Sequence, residues 1–253
     1  MKKTYWKNIF REIGSTKNRF LAILIIVALG VCMFTGLMVT SPDMLRSGDI
    51  YFDQSNFMDL RVISTLGLTQ RDVEEIEKIE GVQQVEAVKS VDCLLNDNAG
   101  ELLAARLQAL PEDIETAINQ PTVIEGQLPK NPGECAILNT AMGKGVQIGD
   151  TLTLAEDNGD MSESLSSTKW KVVGIVSVPT NFSIDAETVS VGDGQADIIA
   201  FAPQEDFSSD VYTTAYMTVQ GAKELDTYSQ AYEDYLQPVI EQLEDLGLEQ
   251  SEI

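Results

Sequence analysis

The stretch FLAILIIVALGVCMFTGLMV, Phe20 to Val39, runs for twenty residues without a charged side chain. Nothing else in the sequence limits the fold so sharply. As a helix it rises about 30 Å, the hydrocarbon thickness of a bilayer. A helix apolar on every side lies either in lipid or deep in a core. A secretory signal has a shorter apolar region, about 7–15 residues. Val39 and Ser41 imitate the small residues before a cleavage point, but Pro42 would then follow the cut. We read 20–39 as a permanent transmembrane helix, with a cleaved signal and a buried soluble helix as the alternatives. Gly30, Thr35 and Gly36 are small enough to let another helix approach in lipid. Cys32 is a small apolar filler at mid-span.

Charge gives the span a direction. Lys2, Lys3, Lys7, Arg11, Lys17 and Arg19 precede it against Glu12 alone, a net charge of +5. Residues 40–253 carry 11 basic and 39 acidic side chains, net −28. Basic flanks stay in the cytoplasm, so residues 1–19 are expected inside the cell membrane and the large acidic part outside. Within 1–19, Trp6, Ile9, Phe10 and Ile13 share one helical stripe while Lys3, Lys7 and Arg11 take another face. That pattern suits a basic amphipathic helix on the inner surface, and Gly14 and Ser15 supply a bend before the chain enters the bilayer.

The acidic balance argues against nucleic acid as a partner. The sequence has no histidine, which removes the commonest general base and zinc ligand. No recognisable nucleophile motif replaces it, so the expectation is a protein that is not an enzyme, with no catalytic, cofactor-binding or metal residues and no cofactor. Cys93 and Cys135 lie in apolar strand patterns, VDCLL and ECAIL. Two thiols make no disulfide framework; buried free thiols are the favoured reading and a Cys93–Cys135 bond the alternative.

The exterior part divides by pattern. Residues 40–57 read as a polar connector. MDLRVIST alternates as a strand, with Leu60 and Val62 on one face. Thr69 and Asp72 form a capping box before Val73, Ile76 and Ile79, and Gly81 is placed as the helix stop. VQQVEAVKSVDCLLN is strand-like, NDNAG turns, and ELLAARLQAL returns. Pro111 opens a short helical piece, PEDIETAI. Glycine and proline then punctuate short strands expected at 134–138, 150–154, 170–178 and 197–202. A strand at 214–221 and a helix at 222–247 follow, kinked or split by Pro238. The fold class is therefore α+β: an N-terminal transmembrane helix, then an extracytoplasmic mixed α/β domain (58–110 with 211–250) carrying an inserted β-rich subdomain (120–205).

One segment is familiar. PGECAILNTAMGKGVQIGDTLTL (132–154) followed by KWKVVGIV (169–176) resembles the extracytoplasmic domain of FtsX-like, MacB-type ABC transporter permeases. The resemblance lies in Gly133 and Glu134, Ala141, Gly149-Asp150-Thr151, and Val172-Val173-Gly174-Ile175. The beginning, FREIGSTKNRFLAILIIVALGV, looks like the start of that family. The resemblance implies a separate ABC ATPase subunit as partner, and a second permease subunit or remaining transmembrane part, since such permeases have further spans. On that reading the sequence is an N-terminal portion, or a half that pairs with another. It has no G-x-x-x-x-G-K-[ST] loop; Lys144 is followed by Gly145. The same residues also read as fold devices: Gly149 and Asp150 turn the chain into a strand, and Gly174 inside a strand marks a bulge or a close backbone approach. A stand-alone single-pass exterior binding or sensor protein is the alternative function.

Other candidates reduce to structure. Glu156, Asp157 and Asp160 surround an Asn-Gly pair that signals a hairpin more than a calcium site. Asp193 and Asp197 are discounted likewise. Asn181-Phe182-Ser183 matches a glycosylation acceptor that needs a eukaryotic secretory host. Tyr228, Tyr232 and Tyr235 are spaced for helix packing.

Overall fold

The computed structural model describes residues 2–181 and 187–251. The chain forms two compact units, Met1–Ile50 and Tyr51–Ile253. In the first, helix α1 (Lys2–Ser15) gives way at Thr16 to helix α2 (Lys17–Gln54). Thr16 marks the break: its hydroxyl donates to Glu12 O at 2.9 Å while Phe20 N–H returns to Thr16 O at 3.0 Å. Tyr5 and Trp6 are exposed on α1; the side chains of Phe10 and Ile13, which complete the expected stripe, lie outside the described ones. Among the described residues α2 is the one helix long and apolar enough to cross a membrane, and none of it is buried in protein.

α2 corrects the expected connector at 40–57, because the helix continues to Gln54 through Pro42. Composition marks where lipid ends and not where a helix ends. Beyond Pro42 no further proline intervenes, Ser47 bonds back to Asp43 O at 2.7 Å, and Leu45 and Arg46 are good helix formers.

The second unit holds two sheets. The smaller has strand order β1-β10-β2, from β1 (Leu60–Leu68), β10 (Tyr212–Val219) and β2 (Val82–Val88), all antiparallel. Helix α3 (Gln70–Glu77) starts at a capping box: Thr69 N–H donates to Asp72 at 2.7 Å, and Asp72 N–H donates to the Thr69 hydroxyl at 3.3 Å. α3 ends at Glu77 with Lys78 as its cap, before Gly81, which instead turns the chain into β2 with φ 96°. Leu60, Val62, Val85, Ala215 and Met217 all point to the helix-covered face, so the sheet is apolar on alternate positions. Helix α4 (Gln230–Ser251) covers it with Leu236, Val239 and Leu243. α4 begins later than the expected 222 because Gly221, at φ 82°, and the Asp226 side chain, which accepts from Tyr228 N–H, hold a turn first; Ser229 then caps the helix, its hydroxyl accepting from Tyr232 N–H at 3.2 Å. Pro238 is accommodated within a single helix.

The larger sheet has the order β5-β8-β6-β9-β4-β3-β7, and β7 also pairs with β8. Its strands are β3 (Ser90–Asn96), β4 (Leu102–Ala109), β5 (Thr122–Gly126), β6 (Glu134–Leu138), β7 (Thr151–Leu154), β8 (Lys169–Ser177) and β9 (Ile198–Ala202). The β7–β8 pairing closes six strands into a barrel, leaving β5 appended to the far half of β8. Closure removes sheet edges that would otherwise pair with other chains. The sequence alternates accordingly: Ile198, Ala200 and Ala202 fill one core with Cys135, Ile137, Trp170 and Val172, while Ile199 and Phe201 join Leu138 and Val176 in another.

Two further expectations change. β3 and β4, placed from the sequence with the α/β part at 58–110, belong to the barrel; their strands read alike in either sheet, and the pairings of β4 with β9 and of β3 with β7 assign them. Residues 111–118 form turns and no helix, because Asp113 accepts from Glu115 N–H at 3.1 Å and from the Thr116 hydroxyl at 2.8 Å, competing with the helical pattern.

Candidate functional site

The residues just before β1 are gripped from three directions. Asn56 accepts from Asn119 N–H at 2.9 Å through its carbonyl, and its side-chain amide donates to Ala117 O at 2.9 Å. Ser55 O accepts from Gln120 N–H at 3.0 Å, and Met58 N–H donates to Asn119 Oδ1 at 3.0 Å. These bonds fasten the strand entrance to the loop after β4. Asp59 fastens it to β10 and α4: its carboxylate accepts from Val219 N–H at 2.7 Å and from the Tyr232 hydroxyl at 2.5 Å. Lys223 donates to Asn56 Oδ1 at 2.6 Å. Phe52 stacks on Phe57, ring centroids 4.5 Å apart, and meets Tyr228 at 6.1 Å. Asn56 and Asn119 both hold the left-handed conformation, φ 47° and 57°, which asparagine tolerates better than most residues.

Burial raises the Asp59 carboxyl above its ordinary range, opposed by the Tyr232 hydroxyl, the Val219 N–H and the Lys223 charge. Removing the hydroxyl bond should therefore weaken the clamp directly. Tyr232→Phe is expected to cost about 1–2 kcal/mol in urea denaturation. A loss indistinguishable from zero would mean that the bond is not carrying the joint.

Between the two sheets lies a cleft of about 570 Å³, lined by Arg61, Ser90, Asp92, Arg106, Glu187 and Thr214 among others. Arg106 donates to both oxygens of Asp92, at 2.8 and 3.1 Å, to Glu187 at 3.0 Å and to Thr188 O at 2.8 Å. Burial pushes Asp92 upward, but the Arg106 bonds and the Ser190 N–H outweigh it and hold the carboxyl below the ordinary range. With both acids committed to Arg106, this arrangement is an ion-paired brace across β3, β4 and the 187–190 segment.

The residues weighed at sequence level take structural places. Glu134 accepts from Lys130 and Asn131 N–H at 3.0 and 3.2 Å, closing a turn. Gly133 N–H donates to both oxygens of the wholly buried Asp206, at 3.0 and 3.1 Å. Gly149 turns at φ 101°, and Asp150 accepts from Gln147 N–H at 2.8 Å. Lys144 donates to Asp197 at 2.6 Å, and Asp197 also accepts from Ala104 N–H at 2.9 Å. Asp193 closes its own turn on Gln195 N–H. The Asn-Gly pair is no tight hairpin: Asn158 instead ties the β7–β8 connection to β3, accepting from Leu94 N–H at 2.7 Å. Glu156 and Asp157 sit exposed in that 3₁₀ turn, and Asp160 accepts from Ser162 N–H. Tyr228 and Tyr232 enter the clamp, and Tyr235 donates to Gln220 O at 3.0 Å. Cys93 and Cys135 are separate buried thiols. Burial, then the Asp92 charge, pushes Cys93 up to about 12; burial, then the Asp206 charge, raises Cys135. Phe182 and Ser183 of the glycosylation match lie outside the described residues. Sequence reasoning missed the clamp, since Asn56, Asp59 and Asn119 carry no motif and meet only through folding; it also missed Asp206.

No family model matches the chain, and no curated protein matches it. Among solved structures it is similar to the extracellular domain of the noncanonic ABC-type transporter YknZ from Gram-positive bacteria, at 13% identity and TM-score 0.40, over 66% of this chain and 82% of that one. It is also similar to the periplasmic region of MacB from Actinobacillus actinomycetemcomitans, at 13% identity and TM-score 0.40, over 72% of this chain and 75% of that one.

Proposed function

We propose that this chain is a membrane permease component of an ABC transporter, doing no chemistry of its own and moving an exterior domain when a separate ATPase hydrolyses ATP. The clamp at Ser55–Asp59 carries the reading. A protein that transmits force needs the chain emerging from its span fastened to more than one element, and here the fastening reaches the loop after β4, the end of β10 and α4. The 38-residue helix α2 leads into that segment. The basic flank before the span supports an inner N-terminus and an outer domain, and the segment at 132–176 supports the class. Export and mechanical signalling to another exterior protein both use this motion.

Purified in mild detergent from its own membranes, the protein should bring with it an ATPase subunit and measurable ATP hydrolysis. Deleting that ATPase should give the same phenotype as deleting this chain. Isolation without any ATPase, together with independent phenotypes, would overturn the proposal. That outcome would favour a stand-alone exterior binding protein, a reading to which the cleft of about 570 Å³ lends itself.

A further inference from the structure

We propose that Glu86 is the latch of a pH-sensitive joint, holding the loop at 111–121 against the smaller sheet when protonated and releasing it when ionised. This goes beyond the permease reading and does not depend on it.

Glu86 points from β2 to the face away from the helices, where its neighbour across the ladder is Tyr216. Its Oε2 accepts from Ile118 N–H at 2.8 Å. One position over, Gln84 donates to Thr116 O at 2.9 Å, so the loop docks on β2 through these side chains. Beside them Asn119 is buried, 7% exposed, and its side-chain N–H₂ has no partner among the described residues. A cavity of about 20 Å³, lined by Glu86, Gln108, Asn119 and Tyr216 among others, adjoins both groups. That is room for about one water, far less hydration than an ionised carboxylate has in solvent.

The charge balance makes the site sensitive. Among the described residues no lysine or arginine bonds to Glu86. Tyr216 faces it from β10, and the Tyr216 hydroxyl feels the charges of Arg61 on β1, of Glu187 and of Glu86 itself. The loop contributes only exposed acids, Glu112, Asp113 and Glu115. Burial, opposed only by the Ile118 N–H, pushes the Glu86 carboxyl up to about 7 from an ordinary 4.5. Because the folded value is the higher one, the docked loop gains its full stability below the ordinary value and loses it as pH rises through about 7. Glu86 is half-buried where the loop sits, and lifting the loop opens its carboxylate fully to water. The same loop bonds to Ser55, Asn56 and Met58, so lifting it slackens one side of the clamp.

The test uses the full chain in lipid nanodiscs. Amide hydrogen exchange in 115–121, corrected for the intrinsic pH dependence of exchange, should show protection falling about tenfold or more between about pH 5.5 and about pH 8.5. Glu86→Gln, which keeps the acceptor and cannot ionise, should hold protection constant. An unchanged wild type, or an equal fall in the variant, would overturn the proposal. A second measurement guards against a variant that fails to fold. Infrared difference spectra of the wild type between the same two pH values should show a carboxylic acid losing its proton that Glu86→Gln lacks, and their silence would also overturn the latch.

Discussion

Asp206→Ala should cost the unit that holds the two sheets about 4 kcal/mol, measured as a shift in the urea or thermal unfolding transition. The carboxylate is wholly buried and lies at the end of the barrel, where three segments meet. Gly133 N–H donates to both of its oxygens, Trp170 Nε1 donates at 3.1 Å, and the Ser167 hydroxyl donates to the first oxygen. Its own carbonyl accepts from Ser166 N–H at 2.9 Å. Alanine keeps that last bond and removes the rest. Three donors would then lose their acceptor, Trp170 wholly buried and Gly133 and Ser167 half-buried, and an unmet buried donor costs about 1–3 kcal/mol. Asp206→Asn keeps one good acceptor and turns an amide toward the donors, so its loss should be about half as large. Trp170 is itself wholly buried and reports on the site, so its emission should shift to the red in the alanine variant at a denaturant concentration where the wild type is unchanged. An alanine variant within about 1 kcal/mol of the wild type would show that water enters the gap and meets the donors.

Why was this residue invisible before the fold was known? Asp206 sits in PQEDFSS beside Glu205, and two adjacent acids in a strongly acidic chain read as solvated surface. Its burial depends on Gly133, 73 positions earlier, and no local period encodes a partner that distant. The clamp was hidden for the same reason: Asp59 reaches Val219 and Tyr232, 160 and 173 positions away. What could be read in advance was local chemistry. The capping box at Thr69 and Asp72 is complete within four residues, and the apolar run at 20–39 needs no partner to declare itself. The turn at Gly149 and Asp150 is legible through its local bonds to Gln147, although Asn98 and Val172 also hold it. Errors arose where local signals were ambiguous between tertiary contexts. VDCLL and ELLAARLQAL read as strands wherever they pair, so their membership in the barrel could not be inferred. The polar residues after Pro42 look like a connector only because helix and lipid were taken to end together.

Gly174→Ala, the smallest possible enlargement, is expected to cost about 2–3 kcal/mol and to strip exchange protection from β5. The glycine lies in the middle of β8, where the register against β6 skips Val173: Cys135 faces Val172 and Ala136 faces Gly174. On the other side Gly126 of β5 pairs with Gly174, and Gln127 N–H donates to Val173 O at 3.1 Å. A Cβ on Gly174 would stand 2.1 Å from Gln127 O, 2.9 Å from its carbonyl carbon and 3.0 Å from its nitrogen. All three atoms are backbone, so no side chain can swing aside. The barrel holds β8 on its β6 side, while β5 is exposed along its whole length and paired only with β8. β5 is therefore the element that must give. Gly247→Ala provides the contrast: it lies exposed in α4 with nothing within 4 Å of an added Cβ, and alanine there should be neutral or stabilise by about 0.5–1 kcal/mol. If Gly174→Ala unfolds with the wild type and leaves 122–127 protected, the backbone contact is not holding the bulge, and the glycine of the Val-Val-Gly-Ile segment serves something other than the approach of β5.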